Sequence, residues 1–265
     1  MRIGMSVFDE ALLLIALAAV AAMYASVGHG GASGYLAILS LTAYAVHDPA
    51  WLKQHAWCLN LLVSAIAFTA YRSAGHFQMR LTVPFLITSV PMAFVGGWLP
   101  IEGLLYEVLL SVFLLFAAWR LHFGGSSHEP ASADEFVLHT PSALFIGGLF
   151  GLVSGMLGIG GGIFLTPFLI LSKWAPPKEA AATSAAFIWL NSAAGLAGAA
   201  LSPMVGLAIE PLTLLSFGAA VFVGGLFGAR WGAHLATPLL IRRMLAVVLV
   251  VASSRLLVSM VTGLL

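Results

Sequence analysis

Gly-His-Gly-Gly at residues 28–31 and Gly-Ile-Gly-Gly-Gly at residues 158–162 are the two stretches that decide the fold of this chain. Both interrupt apolar segments, and their first glycines, Gly28 and Gly158, are 130 positions apart. Glycine disfavours a helix interior, permits left-handed backbone and allows another group to approach closely. Two such clusters at matching places predict breaks in otherwise helical structure and indicate a duplicated chain.

The composition indicates that the lipid bilayer is the solvent of this chain. Of its 265 residues, 61% are hydrophobic and 8% are charged, whereas a soluble domain carries about 25% charged residues. A formal net charge of +1 argues against a nucleic-acid partner. The single cysteine, Cys58, excludes an internal disulfide and a cysteine-based metal cluster. We therefore expect an all-α integral membrane protein without metal or cofactor.

The apolar segments form two sets of five on either side of a polar stretch. The first set covers 11–27, 32–46, 52–71, 82–99 and 104–121, and the second covers 142–157, 163–172, 180–201, 209–229 and 239–262. These sets predict a first transmembrane repeat at 1–121, a linker at 122–140 and a second transmembrane repeat at 141–265.

Further landmarks repeat with nearly the same offset. Asn60 and Asn191 are 131 positions apart, and the pairs Gly96-Gly97 and Gly224-Gly225 are 128 apart. Landmarks in one order with little drift indicate a tandem duplication. An odd number of elements in each repeat starts the second repeat on the opposite side of the membrane. We therefore expect inverted-topology repeats with a site near the midplane, the design of many secondary transporters.

Lysine and arginine predict the orientation, because cytoplasmic loops carry an excess of them. A cytoplasmic linker leaves only Arg2 and Lys53 clearly outside, with Arg255 in or near the last segment. The eight basic residues inside are then Arg72, Arg80, Arg120, Lys173, Lys178, Arg230, Arg242 and Arg243. We expect a multi-pass protein of the cytoplasmic (inner) membrane, with both termini on the periplasmic or extracellular side.

The apolar pieces next to the glycine clusters are short. A helix needs about 20 residues to cross the hydrocarbon, with about 17 as the lower limit, and the segments 142–157 and 163–172 fall below that. We interpret each cluster as the tip of a hairpin of half-helices, one entering from each side. The alternative is that these pieces are short full spans. Whether the number of membrane crossings is odd or even is the same in both cases.

The glycine tips predict an anion site. Irregular backbone survives at membrane depth only within protein or beside a cavity. Helices that begin near Ala32 and Gly162 present free N–H groups and a partial positive charge, which favour an anion. The alternative is that the glycines allow close helix packing. The predicted substrate-binding residues are Gly28, His29, Gly30, Gly31, Asn60, Gly158, Gly160, Gly161, Gly162 and Asn191.

His29 is the one ionisable side chain within the two clusters. Such residues inside a membrane are functional candidates, and this one could bind an oxyanion, carry a coupling proton or simply bond to backbone carbonyls. Ile159 occupies the equivalent position, which makes the two tips unequal. The amides of Asn60 and Asn191 could donate to an anion or form interhelical hydrogen bonds.

Enzyme signatures are absent from the sequence. It contains no His-Glu-x-x-His pair, no Gly-x-Ser-x-Gly elbow and no phosphate loop. We therefore expect a non-enzymatic secondary transporter for a small anion, with a proton or sodium ion as the candidate coupling ion. An anion channel and a membrane accessory or assembly protein are the alternatives. The sequence leaves the substrate, the direction of transport and a homo-oligomeric state open.

The combined pattern resembles the sulfite exporter TauE/SafE family of membrane transporters, also called TSUP. The resemblance rests on both glycine clusters and on Leu52-Lys53-Gln54, Leu59-Asn60, Gly75-His76-Phe77, Val90-Pro91, Gly96-Gly97, Pro167, Ala182-Thr183-Ser184, Gly224-Gly225 and Gly228-Ala229-Arg230. It implies movement of sulfite, thiosulfate, organosulfonates or other small sulfur and carboxylate anions across the cell membrane. Ala32 stands where the second cluster has Gly162, a departure from an all-glycine motif.

Overall fold

The computed structural model describes residues 7–40, 42–99 and 140–241, with residues 243, 244 and 247. The predicted segment 104–121, nearly all of the linker 122–140 and most of the segment 239–262 lie outside the described residues. Arg2, Arg120, Arg242 and Arg255 lie outside them as well.

The described residues are helical and contain no strand. The α-helices are α1 Val7–Ala25, α2 Ala32–Ser40, α3 Pro49–Ser73, α4 Met79–Trp98, α5 Thr140–Leu157, α6 Gly162–Leu171, α7 Pro177–Leu201 and α8 Pro211–Arg230. A 3₁₀ turn at Ala43–Val46 follows α2, and a π-helical turn at Trp231–Leu235 follows α8. Five helices among the described residues are long and apolar enough to cross a membrane. The prediction of an all-α membrane protein is confirmed.

Two long helices, α3 and α7, form an antiparallel pair at the centre. Asn60 of α3 meets Ser192 of α7, with Nδ2 2.8 Å from Oγ. One turn earlier on α3, Trp57 packs against Gly195, which lies one turn later on α7. The residue numbers of the contacting positions therefore rise along α3 as they fall along α7, which makes the two helices antiparallel. Helix α3 also packs on α8.

The outer helices pair across the two halves of the chain, α1 with α8 and α4 with α5. Each pair is parallel and is held by glycines spaced four residues apart. A methyl group on any of these glycines would overlap a main-chain carbonyl of the partner helix. The glycines of α8 and its π turn are Gly224, Gly228 and Gly232, opposite Ala18, Ala22 and Ser26. Those of α5 are Gly147, Gly151 and Gly155, opposite Phe85, Ser89 and Ala93.

The helices form two hairpins, which we name hairpin 1 (residues 7–40) and hairpin 2 (residues 140–171). The open end of hairpin 1 leads to Tyr44, which stacks on Trp51 near the start of α3 at 5.6 Å between ring centroids. The open end of hairpin 2 leads to Trp174, just before α7. The ring centroid of Trp174 lies 6.0 Å from that of Phe85. Because α3 and α7 are antiparallel, the two hairpins enter from opposite ends of the molecule.

The lengths of the hairpin arms differ from the prediction of two half-helices. Helix α5 begins at Thr140, inside the predicted linker, and its 18 residues qualify as a membrane span. Only α2, with 9 residues, and α6, with 10, are half-length, or about 14–15 Å at the helical rise. The predicted segment 32–46 is also divided, because α2 ends at Ser40. Each hairpin therefore joins one membrane-length arm to one half-length arm.

The glycine contacts lead to a stability prediction at Gly151. The Gly151→Ala methyl group would overlap the Ser89 backbone, and overpacking of this kind costs about 1–3 kcal/mol. The higher helix propensity of alanine offsets at most about 1 kcal/mol of this cost. We therefore expect Gly151→Ala to lower the melting temperature of the protein in detergent, measured by thermal unfolding.

Gly148→Ala is the matched control on the same helix. An added methyl group at Gly148 would have ordinary contacts, with the nearest atom, Thr88 Cβ, 3.6 Å away. The propensity gain should then leave the melting temperature equal or higher. A Gly151→Ala protein as stable as Gly148→Ala would contradict the close-packed interface.

Candidate functional site

The two glycine clusters meet at the side chain of Asn60. A methyl group on Gly30 would overlap Asn60 Oδ1, and one on Gly160 would overlap Asn60 Nδ2. The backbone N–H of Ala32, at the start of α2, donates to Oδ1 at 3.2 Å, while Nδ2 donates to Ser192. One carboxamide therefore contacts both tips and joins α2 to α7.

The tips need glycine because of their backbone conformation. Positive φ angles occur at Gly28, Gly31, Gly158, Gly160 and Gly161, between 74° and 96°. Side chains with a Cβ atom rarely adopt this region. In addition, a Cβ atom on Gly28 would overlap the carbonyl of Ala181 on α7. Both tips therefore combine left-handed backbone with direct contact to a central helix.

His29 reaches from the tip of hairpin 1 to hairpin 2. Its ring is 2% exposed, and Nδ1 lies 3.0 Å from the carbonyl oxygen of Val27, which accepts a hydrogen bond from it. Nε2 lies 3.5 Å from Thr166 Oγ1 on α6. Thr166 in turn donates to Ser184 Oγ on α7 at 2.6 Å. A line of polar groups therefore connects hairpin 1, α6 and α7.

Asn191 differs from Asn60 although the two occupy matching positions in the sequence. It is fully buried, and neither its Oδ1 nor its Nδ2 has a hydrogen-bond partner. A buried amide without partners is costly and uncommon. The structure therefore satisfies one of the two predicted asparagines within the protein and leaves the other with unused hydrogen-bonding capacity.

The polar groups around the tips are mostly hydrogen-bond donors. They comprise backbone N–H groups at two helix starts, carboxamides, hydroxyls and an imidazole. No cluster of three or more His, Cys, Asp or Glu side chains that could hold a metal ion occurs among the described residues. Donors without a nearby carboxylate suit an anion better than a cation.

The tips are closed off from solvent, since all residues in 25–36 and 157–167 are buried. At the end where α3 begins, the side chain of Gln54 bonds to the backbone of Gly206 at 2.7 Å and of Ala208 at 2.8 Å. Beside it, Lys53 donates to the carbonyl of Met156, in the last turn of α5. These contacts, which we call the α3-start closure, seal this end.

A second set of contacts, the α3-end closure, seals the opposite end. His76 Nε2 and Lys178 Nζ both donate to the carbonyl of Ala233 in the π turn, each at 3.2 Å. Burial is the main cause that lowers the pKa of His76, and the neighbouring Lys178 lowers it too. Gln78 also donates to Glu179 at 2.7 Å. The described conformation is therefore closed at both ends.

Sequence analysis did not single out several of the polar residues that surround the tips. These are Trp57, Ser154, Thr166 and Ser192, each of which is buried. Serine, threonine and tryptophan are frequent in membrane helices, so none of them signals a site in a single sequence. Ser184, which accepts a hydrogen bond from Thr166, belongs to the Ala182-Thr183-Ser184 motif of the family resemblance.

Comparisons with known proteins identify the family of this chain. The sequence model of the family "Sulfite exporter TauE/SafE" matches residues 12–256. A "Probable membrane transporter protein" of Sinorhizobium fredii (strain NBRC 101917 / NGR234) is 33% identical over 248 residues, which cover 92% of this chain and 97% of that protein.

Two more distant relatives carry the same description. The protein from Bacillus subtilis (strain 168) is 22% identical over 207 residues, covering 72% of this chain and 73% of the relative. The protein from Methanocaldococcus jannaschii is 26% identical over 133 residues, covering 50% of this chain and 49% of the relative. No solved structure matches the chain. The extent of the family match and the identity to the Sinorhizobium protein show that this chain belongs to the sulfite exporter TauE/SafE family of membrane transporters.

Proposed function

We propose that this protein is a secondary transporter that moves sulfite, a sulfonate or a related sulfur-containing oxyanion across the cytoplasmic membrane by alternating access. Family membership supports the class of function. The observation that carries the proposal is the convergence of two glycine-broken helix starts, from hairpins that enter at opposite ends, on the buried Asn60. The predicted substrate-binding residues lie at or near this centre, and we propose that they form the binding site, either by contacting the anion or by positioning the residues that do.

Separate sets of contacts close the two ends of the fold, which supports alternating access. Lys53 and Gln54 make the α3-start closure, whereas His76 and Lys178 make the α3-end closure. Opening one set while the other stays closed would expose the centre to one side at a time. A duplicated, inverted pair of repeats supports such an exchange. A channel would instead need a continuous water-filled path from one side of the membrane to the other.

The helix pairing also supports the proposed inverted repeats. Helix α1, which opens the first half, packs on α8 of the second half. Helix α5, which opens the second half, packs on α4 of the first half. In both halves of the chain, the first helix thus packs on a helix of the other half, and α3 and α7 run antiparallel between the two pairs. A two-fold axis in the membrane plane would produce this arrangement.

The energy source in this proposal is an ion gradient, carried by a proton or sodium. The sequence has no phosphate-binding loop. His29 is the proposed proton carrier, because its ring connects hairpin 1 with Thr166 of hairpin 2. An imidazolium donates from both ring nitrogens, whereas the neutral ring donates from one. A change of protonation would thus change the contact between the two tips.

The first test measures flux of sulfite and of methanesulfonate in proteoliposomes under an imposed proton or sodium gradient. We expect concentrative movement by the wild-type protein. His29→Ala should reduce the flux by about tenfold or more, because it removes the proposed proton carrier, whose charged form hydrogen-bonds to Thr166 of hairpin 2. Gly161→Leu should abolish it, because a side chain there would clash with Phe187 and strain the backbone.

Gly218→Ala serves as the control for the flux measurement, because an added methyl group there has no neighbour closer than 4.0 Å. Size-exclusion profiles verify that each variant is folded. Normal flux in folded His29→Ala and Gly161→Leu would refute the proposed site. Movement that only follows the anion gradient would indicate a channel, and transport that requires a partner protein would indicate an accessory role.

The distribution of charge supports the proposed orientation, with the end at which α3 terminates in the cytoplasm. The basic residues on that end are Arg72, Arg80, Lys173, Lys178, Arg230 and Arg243, and Glu179 is its one described acidic residue. Toward the opposite end lie Asp9, Glu10, Asp48 and Glu210, with Lys53. The positive-inside rule assigns the basic end to the cytoplasm.

Cysteine labelling in cells tests this orientation. In a protein with Cys58 replaced by alanine, Ser73→Cys and Ser172→Cys place exposed thiols at the basic end, and Met204→Cys places one at the other end. We expect a membrane-impermeant maleimide to label Met204→Cys in intact cells and the other two only after lysis. The reverse pattern would overturn the orientation.

A further inference from the structure

The two helix starts at the centre are not equivalent. At the start of α2, the Ala32 N–H donates to Asn60 Oδ1 at 3.2 Å. At the start of α6, Gly161 is the N-cap and provides no side-chain hydrogen bond. Among the described residues, no acceptor is found for the N–H group of Ile163. A side chain therefore caps the start of α2, whereas the start of α6, which we call open, has no side-chain cap.

Two polar side chains without partners lie beside this open start. Ser154 of α5 is fully buried, and its Cβ is 3.0 Å from where a Cβ of Gly161 would lie. Its hydroxyl has no hydrogen-bond partner. Asn191, fully buried and also without a partner, lies one helical turn after Phe187, whose ring packs against Gly161.

The indole of Trp57 adds a third unused donor. Its Nε1 is buried without a partner, and its ring packs on Gly195, one turn after Asn191 on the same face of α7. The Cα atom of Gly155, which follows Ser154, lies 3.6 Å from where a Cβ atom of Gly195 would be. Side chains from α3, α5 and α7 thus surround one small region.

The unpartnered polar atoms are concentrated in this region. Five such side-chain atoms occur among the described residues, and four belong to Trp57, Ser154 and Asn191. The fifth is the hydroxyl of Ser89 on α4. Each unpartnered group carries a desolvation cost that a ligand could offset. Three donor side chains and the N–H group of Ile163, with no carboxylate among them, match the several acceptor oxygens of an oxyanion.

We propose that the oxyanion binds at the start of α6, held by Ser154, Asn191 and Trp57 together with the N–H group of Ile163, and that the start of α2 does not bind it. The ligand class rests on the proposed function, whereas the place rests on the unpartnered donors. Asn60 is then a positioning residue that holds both tips. The Asn191 Oδ1 requires a donor in turn, which a singly protonated oxyanion such as hydrogen sulfite supplies.

Binding of sodium sulfite to the purified protein in nanodiscs, measured by calorimetry near neutral pH, tests the place. Ser154→Ala, Asn191→Leu and Trp57→Phe each remove one donor while keeping most of the volume. We expect each to weaken sulfite binding by about tenfold or more. Ser89→Ala is the matched control, because it also removes a buried, unpartnered hydroxyl, and its affinity should stay within about twofold of wild type.

Thermal unfolding without any added anion distinguishes a binding role of these residues from a structural role. The two roles predict opposite changes in the melting temperature. Removal of an unpartnered buried polar group relieves a desolvation cost. We therefore expect the anion-free melting temperature of Asn191→Leu and Ser154→Ala to equal or exceed that of wild type. A lower melting temperature in both would mean that these groups support the fold, and would overturn the proposal.

A panel of sulfite, methanesulfonate, nitrate and acetate separates this proposal from the function on which it rests. Sulfite flux and affinity that survive in folded Ser154→Ala and Asn191→Leu would overturn the place and leave the function intact. Binding of nitrate or acetate alone, lost in those variants, would support the place and overturn the sulfur-oxyanion function. Binding of none of these anions by the wild-type protein would overturn both.

Discussion

The side chain of Asn60 is the contact on which the centre of this protein depends. Its Oδ1 caps the start of α2, its Nδ2 bonds to Ser192 on α7, and Gly30 and Gly160 both pack against it. At membrane depth no bulk water can satisfy a broken helix, so its backbone groups need partners within the protein. One carboxamide meets that need for hairpin 1 and fixes where hairpin 2 can lie.

Around this contact, the two halves of the chain hold each other in place. Helix α1 packs on α8 and helix α4 packs on α5, so each hairpin rests on a helix from the other half. Glycines such as Gly151 and Gly228 bring these backbones into direct contact. Apolar burial does not drive association within lipid, and close packing of this kind takes its place. The close-packed pairs are therefore suited to move as units.

The two glycine tips have different properties. Asn60 is satisfied within the protein, whereas Asn191 keeps both amide atoms unused. His29 contacts the opposite hairpin, and Ile159 at the matching position offers no polar atom. Proteins commonly accept unsatisfied groups where function needs them, at a cost in stability. In the proposed mechanism, hairpin 1 supports the site and carries the coupling proton, and the start of α6 binds the anion.

The sequence by itself determined the membrane environment, the helical class, the glycine breaks and the family, because hydropathy and glycine content are local properties of the chain. The predicted segment 142–157 was shorter than α5, because Thr140 and Pro141 are not apolar, although the helix includes both of them. Only the tertiary structure decided which buried donors lack partners. Ser154 and Trp57 are ordinary residues in the sequence, and whether a hydrogen bond forms depends on neighbours from other helices, which no local pattern records.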